Sequence, residues 1–596
     1  MSNDSQDLRA RIATMDDEQL PVAKHKLHGW RHFAGLYAAE HVAATEFVIG
    51  ATFVALGASV WDVFIGLIIG NTMAVLSFWL ITAPIAVQSR LSLFTYLDRV
   101  AGGSMSKIYN IANVLIFGTI AAAMITVSAT AVRVLFNIPP QVDAYPTSMT
   151  FVFVACAVGA IVVLVAVFGF NVLTEFANIC APWLMVFFTV GGMVLIPALA
   201  ESITGYTTLR SFGDFMDIAG ATVWTGFNAA GEPGVGILEI AGFAWAANTF
   251  SHFGLIDMAL LRYAKKARYG IATATGMMFG HYVAWISAGL MGAGTAALTM
   301  RSIVEVDPGE VAFYALGASG FVIVIVAGWT TANSNLYRAG LAAQAVLPNQ
   351  SRTKVTLIVG LFVVALSVFP FVYQNMLPLL TYAGLLLVPV GGIVFAEHHI
   401  FPRMGLTRFW ARYKKVAHNV PAIGTWAISL VFGFGLNLLH VMPYYYLFLP
   451  TWALSIVVYT LWARSVGAGE PFAAEQEADR QFDETVREVQ AEQARAEGFG
   501  DEEMPKDNSP LTWVIRAIWI VALIIPCILG WRVMFNSPEL YTYFVNRDLF
   551  YNVSIWCTLA YFVFAWIDLR RATSRAQRFR AARIAEQREP VSSEAS

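Results

Sequence analysis

The sequence predicts an all-α integral membrane protein with about fourteen transmembrane helices, and three observations predict it. Of 596 residues, 57% are hydrophobic and 13% charged, far below the roughly 25% charged share of soluble domains. The apolar residues come in long uniform runs, each of the length that crosses a bilayer, whereas a β-barrel needs short alternating strands. Lys and Arg gather in alternate short loops, the pattern that orients a multispanning chain.

Residues 1–28 form a polar, acidic tail (MSNDSQDLRARIATMDDEQL at its start). They lack the basic start and short apolar core of a cleaved signal peptide, so the N-terminus is expected to stay in the cytoplasm. Polar loops then divide the chain into helices near 32–56, 60–86, 108–137, 148–169, 175–199, 236–256, 270–297, 312–347, 354–371, 377–397, 421–440, 444–464, 511–533 and 548–568. These group as a ten-helix core at 29–400, helices eleven and twelve within 401–465, and two extra helices within 511–568. Arg90, Arg99 and Lys107, then Arg262, Lys265, Lys266 and Arg268, then Arg352 and Lys354, then Arg403, Arg408, Arg412, Lys414 and Lys415 fall in the proposed cytoplasmic loops. The opposite loops of the first twelve spans hold Arg210 and Arg301 alone. Both termini are therefore expected inside a plasma or inner cell membrane, in agreement with the basic tail 569–596, which carries Arg570, Arg571, Arg575, Arg578, Arg580 and Arg583.

An acidic insert at 466–510 separates the twelfth span from the thirteenth. Phe482, Val486 and Val489, spaced i, i+4, i+7, draw a narrow apolar stripe along it. On sequence alone this reads first as a solvated helical linker and second as a docking surface for the same protein or a partner. The four cysteines lie in apolar runs, as small buried hydrophobes do. A net charge of −2 with scattered basic residues points away from nucleic acid, and no G-x-x-x-x-G-K-[ST] loop marks a nucleotide site. An intramembrane enzyme needs a nucleophile with its base, or a metal cluster, and the isolated histidines supply neither. A channel would repeat a filter or line one path with charge rings, and neither is visible.

Three spans carry polar clusters at bilayer depth, where an unsatisfied polar group costs several kcal/mol and must face protein or a wet cavity. YAAEHVAATEFVIG (37–50) brings Glu40, His41 and Glu46 into the first span, GFAWAANTFSHFG (242–254) interrupts the sixth, and TTANSN (330–335) the eighth. Spans one and six lie five apart, the offset of two inverted five-helix repeats each opened by a broken helix. Every cluster also has a plainer reading. Thr330 and Thr331 can bond back to carbonyls one turn earlier, Trp245 can be packing or an interfacial anchor, and Glu40 with His41 can be a hidden structural pair. Asn333 and Asn335 bring more donors and acceptors than helix glue normally uses. His252 and His281 stay undecided. Glu397, His398 and His399 at the end of the tenth span read as snorkelling groups in preference to a metal site.

WTTANSNLYRAGLAAQAVLP (329–348), LLTYAGLLLVPVGGIVFAEHHIFPR (379–403), WDVFIGLIIGN (61–71) after a span ending GATFVALG, and RYAKKAR (262–268) occur in that family's order: over about 28–465 the chain resembles the nucleobase:cation symporter family of cytosine, purine, allantoin and hydantoin permeases. The resemblance implies a LeuT-type 5+5 inverted-repeat transporter core, two further helices and alternating access; residues beyond 465 lie outside it. It implies no cofactor, with Na⁺ as coupling ion between the hydroxyls of Thr330 and Thr331 and the carbonyls around Ala39 and Val42. It also implies a small-molecule substrate, a planar nitrogen heterocycle stacked on Trp245 and Phe117 and read by the amide of Asn335, alone or with Asn333. Asn248, Glu40 and His41 complete the candidate substrate set. Departures leave the substrate and the coupling ion open. Phe117 stands where relatives often have Trp, Glu397 where they often have Asp, and Glu40 beside His41 could serve a proton or a cationic substrate. The same fold could carry an amino acid, amine or vitamin, or act as a receptor. The oligomeric state is not readable.

Overall fold

A computed structural model describes residues 3–15, 17–167, 170–499 and 507–588. The end of the expected fourth span at 168–169, part of the insert at 500–506 and the tail end at 589–596 lie outside the described residues. Among those described, no strand forms, and ten helices are long and apolar enough to cross a membrane: Val60–Ser89, Leu93–Leu135, Met149–Ala166, Glu175–Thr204, Ala267–Thr299, Met376–Arg403, Val420–Leu438, Tyr444–Val466, Pro510–Phe535 and Leu540–Glu586. The other four expected spans fall outside that set. The first is split into Trp30–His41 and Glu46–Ala55, and the sixth into Ile237–Ala246 and Thr249–His252. The eighth, Ala318–Val346, is intact but carries the polar cluster, and the ninth, Arg352–Leu366, is only 15 residues long.

Several boundaries differ from the expected ones for local reasons. Gly317 adopts φ 58°, which stops a helix, so Pro308–Leu316 is separate from the eighth span with which the apolar pattern merged it. The connection after the fifth span holds the unanticipated helix Phe212–Thr222, whose first turn is capped by the Ser211 side chain. The last helix continues to Arg588, because its Ala- and Arg-rich extension keeps helix-forming residues after the apolar run ends. The two extra helices pack against each other and against Phe170–Thr204 of the core.

The insert is not a solvated linker. Its helix Ala473–Ala496 packs on the N-terminal helix Asn3–Thr14, with Ile12, Leu20 and Val486 buried and Leu8, Met15, Phe482 and Val489 around them. Arg9 pairs with Glu488 at 2.5 Å and Glu492 at 3.0 Å, and Gln490 Nε2 donates to Pro21 O at 2.8 Å. Glu18 then reaches the buried Arg262 at the end of the bundle. The apolar stripe read from the sequence is thus a docking face for the chain's own N-terminus. Val486→Asp would bury an unpaired carboxylate there, so roughly tenfold or faster hydrogen exchange in Asn3–Thr14 is expected; unchanged exchange would show that the stripe does not hold the helix down.

Candidate functional site

The break in the first span organises the site. The helix ends at Val42 (φ −86°, ψ 64°) and restarts at Glu46, so the carbonyls of its last turn lose their intrahelical donors. Span eight replaces them: Thr330 Oγ1 donates to Ala39 O at 2.8 Å, and Thr331 Oγ1 to Glu40 O at 2.6 Å. Two neighbouring hydroxyl–carbonyl pairs are thereby buried at the break, neutral oxygens of the type that suits a small hard cation. Val42, the fourth residue expected at this point, is fully buried at the unwound turn.

Two turns further along span eight lies an ionic network that sequence inspection missed. The Arg338 guanidinium, 1% exposed, forks onto both oxygens of Glu40 at 2.5 and 3.2 Å and onto Asp257 Oδ1 at 2.6 Å. Tyr37 Oη donates to the other Asp257 oxygen at 2.9 Å. The network ties the first half of span one and the segment after span six to span eight. Arg338 stood in the quoted motif, and an arginine at that depth was the available signal for it; Asp257, beyond the expected end of span six, gave none.

Between the two broken helices lies a small chamber of about 50 Å³. Glu40, His41, Thr45 and Glu46 line it from span one, Asn248, Phe250 and Ser251 from span six, His281 from span seven, and Thr331 and Asn335 from span eight. Span seven comes close enough because it is glycine there: a Cβ on Gly280 would lie 2.2 Å from His41 O. His281 Nδ1 is 2.9 Å from Asn248 Nδ2, its ring stacks on Trp285 at 4.3 Å, and its Nε2 lies 3.9 Å from Glu46 Oε1. The Trp285 indole N–H donates to the other Glu46 oxygen. Glu46 and His281, left outside the candidate substrate set, thus also line the chamber. A larger cavity of about 730 Å³ lies under the N-terminal and insert helices, away from this chemistry.

The expected substrate residues separate into two groups. Asn248, Asn335, Glu40 and His41 meet at the chamber, although Glu40 has its carboxylate engaged by Arg338 and is not an open ligand. Trp245, Phe117 and Asn333 do not line it. Trp245 belongs to the intact half of span six; its N–H donates to Ser77 Oγ at 3.1 Å and its ring packs on Phe448 and Phe253, whereas the chamber is lined by residues at and after the break. Phe117 is fully buried behind Phe250, edge-on at 5.7 Å, with the Arg338 guanidinium 5.9 Å from its centroid. Asn333 lies two residues from Asn335, about 200° around the helix, so only one of the two amides can face the chamber.

No group of three or more His, Cys, Asp or Glu able to hold a metal occurs among the described residues. Glu397 and His398 do not snorkel. Both are buried, Glu397 accepting from Tyr459 Oη and the Phe409 N–H, and His398 held between Tyr96 and Gln88.

Fold and site together define a polytopic helical membrane protein whose two broken helices, five spans apart, enclose a polar chamber. Solved structures share this architecture. The chain matches Mhp1, a nucleobase-cation-symport-1 family transporter, in a closed conformation with bromovinylhydantoin bound, at a TM-score of 0.60 and 16% identity, over 80% of this chain and 99% of that one. It matches the inward-facing conformation of Mhp1 at 0.58 and 16% identity, over 79% and 98%, and a substrate-bound, outward-open Na⁺-coupled sialic acid symporter at 0.52 and 12%, over 78% and 95%. No family model and no curated protein matches the chain. At these identities the likeness establishes the fold, which is the LeuT type followed by additional C-terminal helices.

Proposed function

We propose that this protein is a secondary active symporter that imports a small nitrogen-containing solute, a heterocycle of nucleobase, hydantoin or allantoin type, coupled to Na⁺ by alternating access. One observation carries the reading: the Thr330 and Thr331 hydroxyls converge with the Ala39 and Glu40 carbonyls beside a polar chamber, to which Thr331 also belongs. Na⁺ would replace the two hydroxyl–carbonyl hydrogen bonds with four oxygen contacts, with Val42 at the same turn. The LeuT fold, shared with Mhp1 and a Na⁺-coupled symporter, supports the assignment.

Phe250, backed by Phe117, supplies an aromatic face of the chamber, and the Asn248 and Asn335 amides supply polar contacts. At about 50 Å³ the chamber is far smaller than the 300–1,000 Å³ typical of ligand pockets, so substrate enters only when the halves around it move apart, as alternating access requires. The basic loops and tail orient both termini to the cytoplasmic face of the cell membrane. The pairing of His281 with Glu46 favours one second reading, in which a proton is the coupling ion.

Uptake into proteoliposomes tests the function. Accumulation of a labelled heterocycle is expected under an inward Na⁺ gradient and not under equal salt. Accumulation driven by a pH gradient alone would transfer the coupling to the proton. Tight binding without accumulation under either gradient would make the protein a receptor.

A further inference from the structure

The chamber's hydrogen-bonding groups are unequally divided between donors and acceptors. Asn335 Nδ2 donates to the Thr331 carbonyl at 2.8 Å, one turn back. A carbonyl can only accept, so the amide nitrogen must point there and Oδ1 is left for the chamber. Asn248 Nδ2 lies 2.9 Å from His281 Nδ1 and 3.7 Å from the Met277 sulfur, again leaving Oδ1. His41 Nδ1 lies 2.9 Å from the Tyr37 carbonyl, so Nδ1 carries the hydrogen and Nε2 presents a lone pair. Glu46 adds a carboxyl group oriented by the Trp285 indole.

Four acceptors thus border the chamber, against the His281 Nε2–H and the Ser251 and Thr45 hydroxyls. The charge balance has the same sign. Glu40 and Asp257 share Arg338, whereas no Lys or Arg among the described residues pairs with Glu46, whose one recorded ionic neighbour is His281 at 3.9 Å. An acceptor-rich chamber whose buried acid has no fixed cation beside it suits a ligand that is positive and rich in N–H groups.

We infer that the transported solute is an organic cation presenting a planar amidinium or guanidinium edge, with Glu46 as its counter-ion and Asn248, Asn335 and His41 accepting its remaining N–H groups. This rests on the transport reading above and narrows it: a neutral ring with carbonyl acceptors, such as hydantoin, would set acceptor against acceptor.

Three five-membered rings of nearly equal shape separate the possibilities: 2-aminoimidazoline, a cyclic guanidinium; imidazolidin-2-one, the corresponding neutral urea; and hydantoin. Binding to the purified full-length protein is measured by calorimetry with and without Na⁺. The guanidinium is expected to bind about tenfold or more tightly than the urea, the usual advantage of a hydrogen bond to a charged partner. Glu46→Gln is expected to remove most of that preference. Hydantoin or the urea binding as tightly as the guanidinium overturns the cation inference and leaves the heterocycle symporter standing. Binding of none of the three, with or without Na⁺, also overturns the cation inference, and the symporter reading is then decided by the uptake experiment above. If Glu46→Gln does not fold, the wild-type ratio alone decides, and Trp285→Phe, which removes the N–H that orients Glu46 and shortens the ring stacked on His281, should weaken guanidinium binding more than urea binding.

Discussion

Arg338→Ala is expected to destabilise the protein severely. Arg338 is 1% exposed and is, among the described residues, the one cation hydrogen-bonded to Glu40 and Asp257, themselves 8% and 1% exposed. Removing one partner of a buried ionic cluster leaves the others desolvated and unpaired, a cost of about 3–5 kcal/mol. Against a total stability of about 5–15 kcal/mol that is a large fraction. A sharp loss of monodisperse protein and of melting temperature in detergent is the expected observation. Arg338→Lys retains the charge but not the fork that spans two carboxylates, so it should fall between wild type and alanine. A wild-type melting curve for Arg338→Ala would mean that the two acids are held neutral and that the cluster does not tie span eight to the broken helix.

The second large effect is expected for the pair Thr330→Ala with Thr331→Ala. Stabilisation by Na⁺, read as the rise of melting temperature with Na⁺ concentration, should disappear or need at least about tenfold more Na⁺, because linkage reports affinity for the folded state. The double variant also strips the Ala39 and Glu40 carbonyls of their donors, at about 1–3 kcal/mol for each acceptor left unmatched. Serine at both positions keeps the oxygens and the hydrogen bonds, and should restore the Na⁺ response. An unaltered Na⁺ response in the alanine pair would move the cation elsewhere, whereas no response in wild type would leave the proton as coupling ion.

Both predictions concern span eight, and they differ in how far the sequence anticipated them. Thr330 and Thr331 were legible because polar residues in an apolar run are conspicuous and their order matched a known pattern. Arg338 lay eight residues beyond Thr330 in the same quoted segment, but the partners that explain it, Glu40 and Asp257, are 298 and 81 positions away. Nothing local announces such a pairing. Trp245 shows the converse: its residue type suited a stacking platform, yet its helical face turns it toward Ser77 and Phe448, while Phe250, past the break, reaches the chamber. The insert's stripe was read correctly as apolar, but its occupant, the N-terminal helix, lies more than 450 residues earlier.

The sequence by itself determined the membrane class, most of the spans, the places where spans one and six break, and the presence of hydroxyls on span eight. These follow from composition and period, which act over one or two helical turns. Only the tertiary structure decided which polar groups neutralise one another and which remain open to a ligand. That depends on the rotation of each helix about its axis, where a shift of two residues sends a side chain to the opposite wall, and on contacts between segments that the chain keeps hundreds of residues apart.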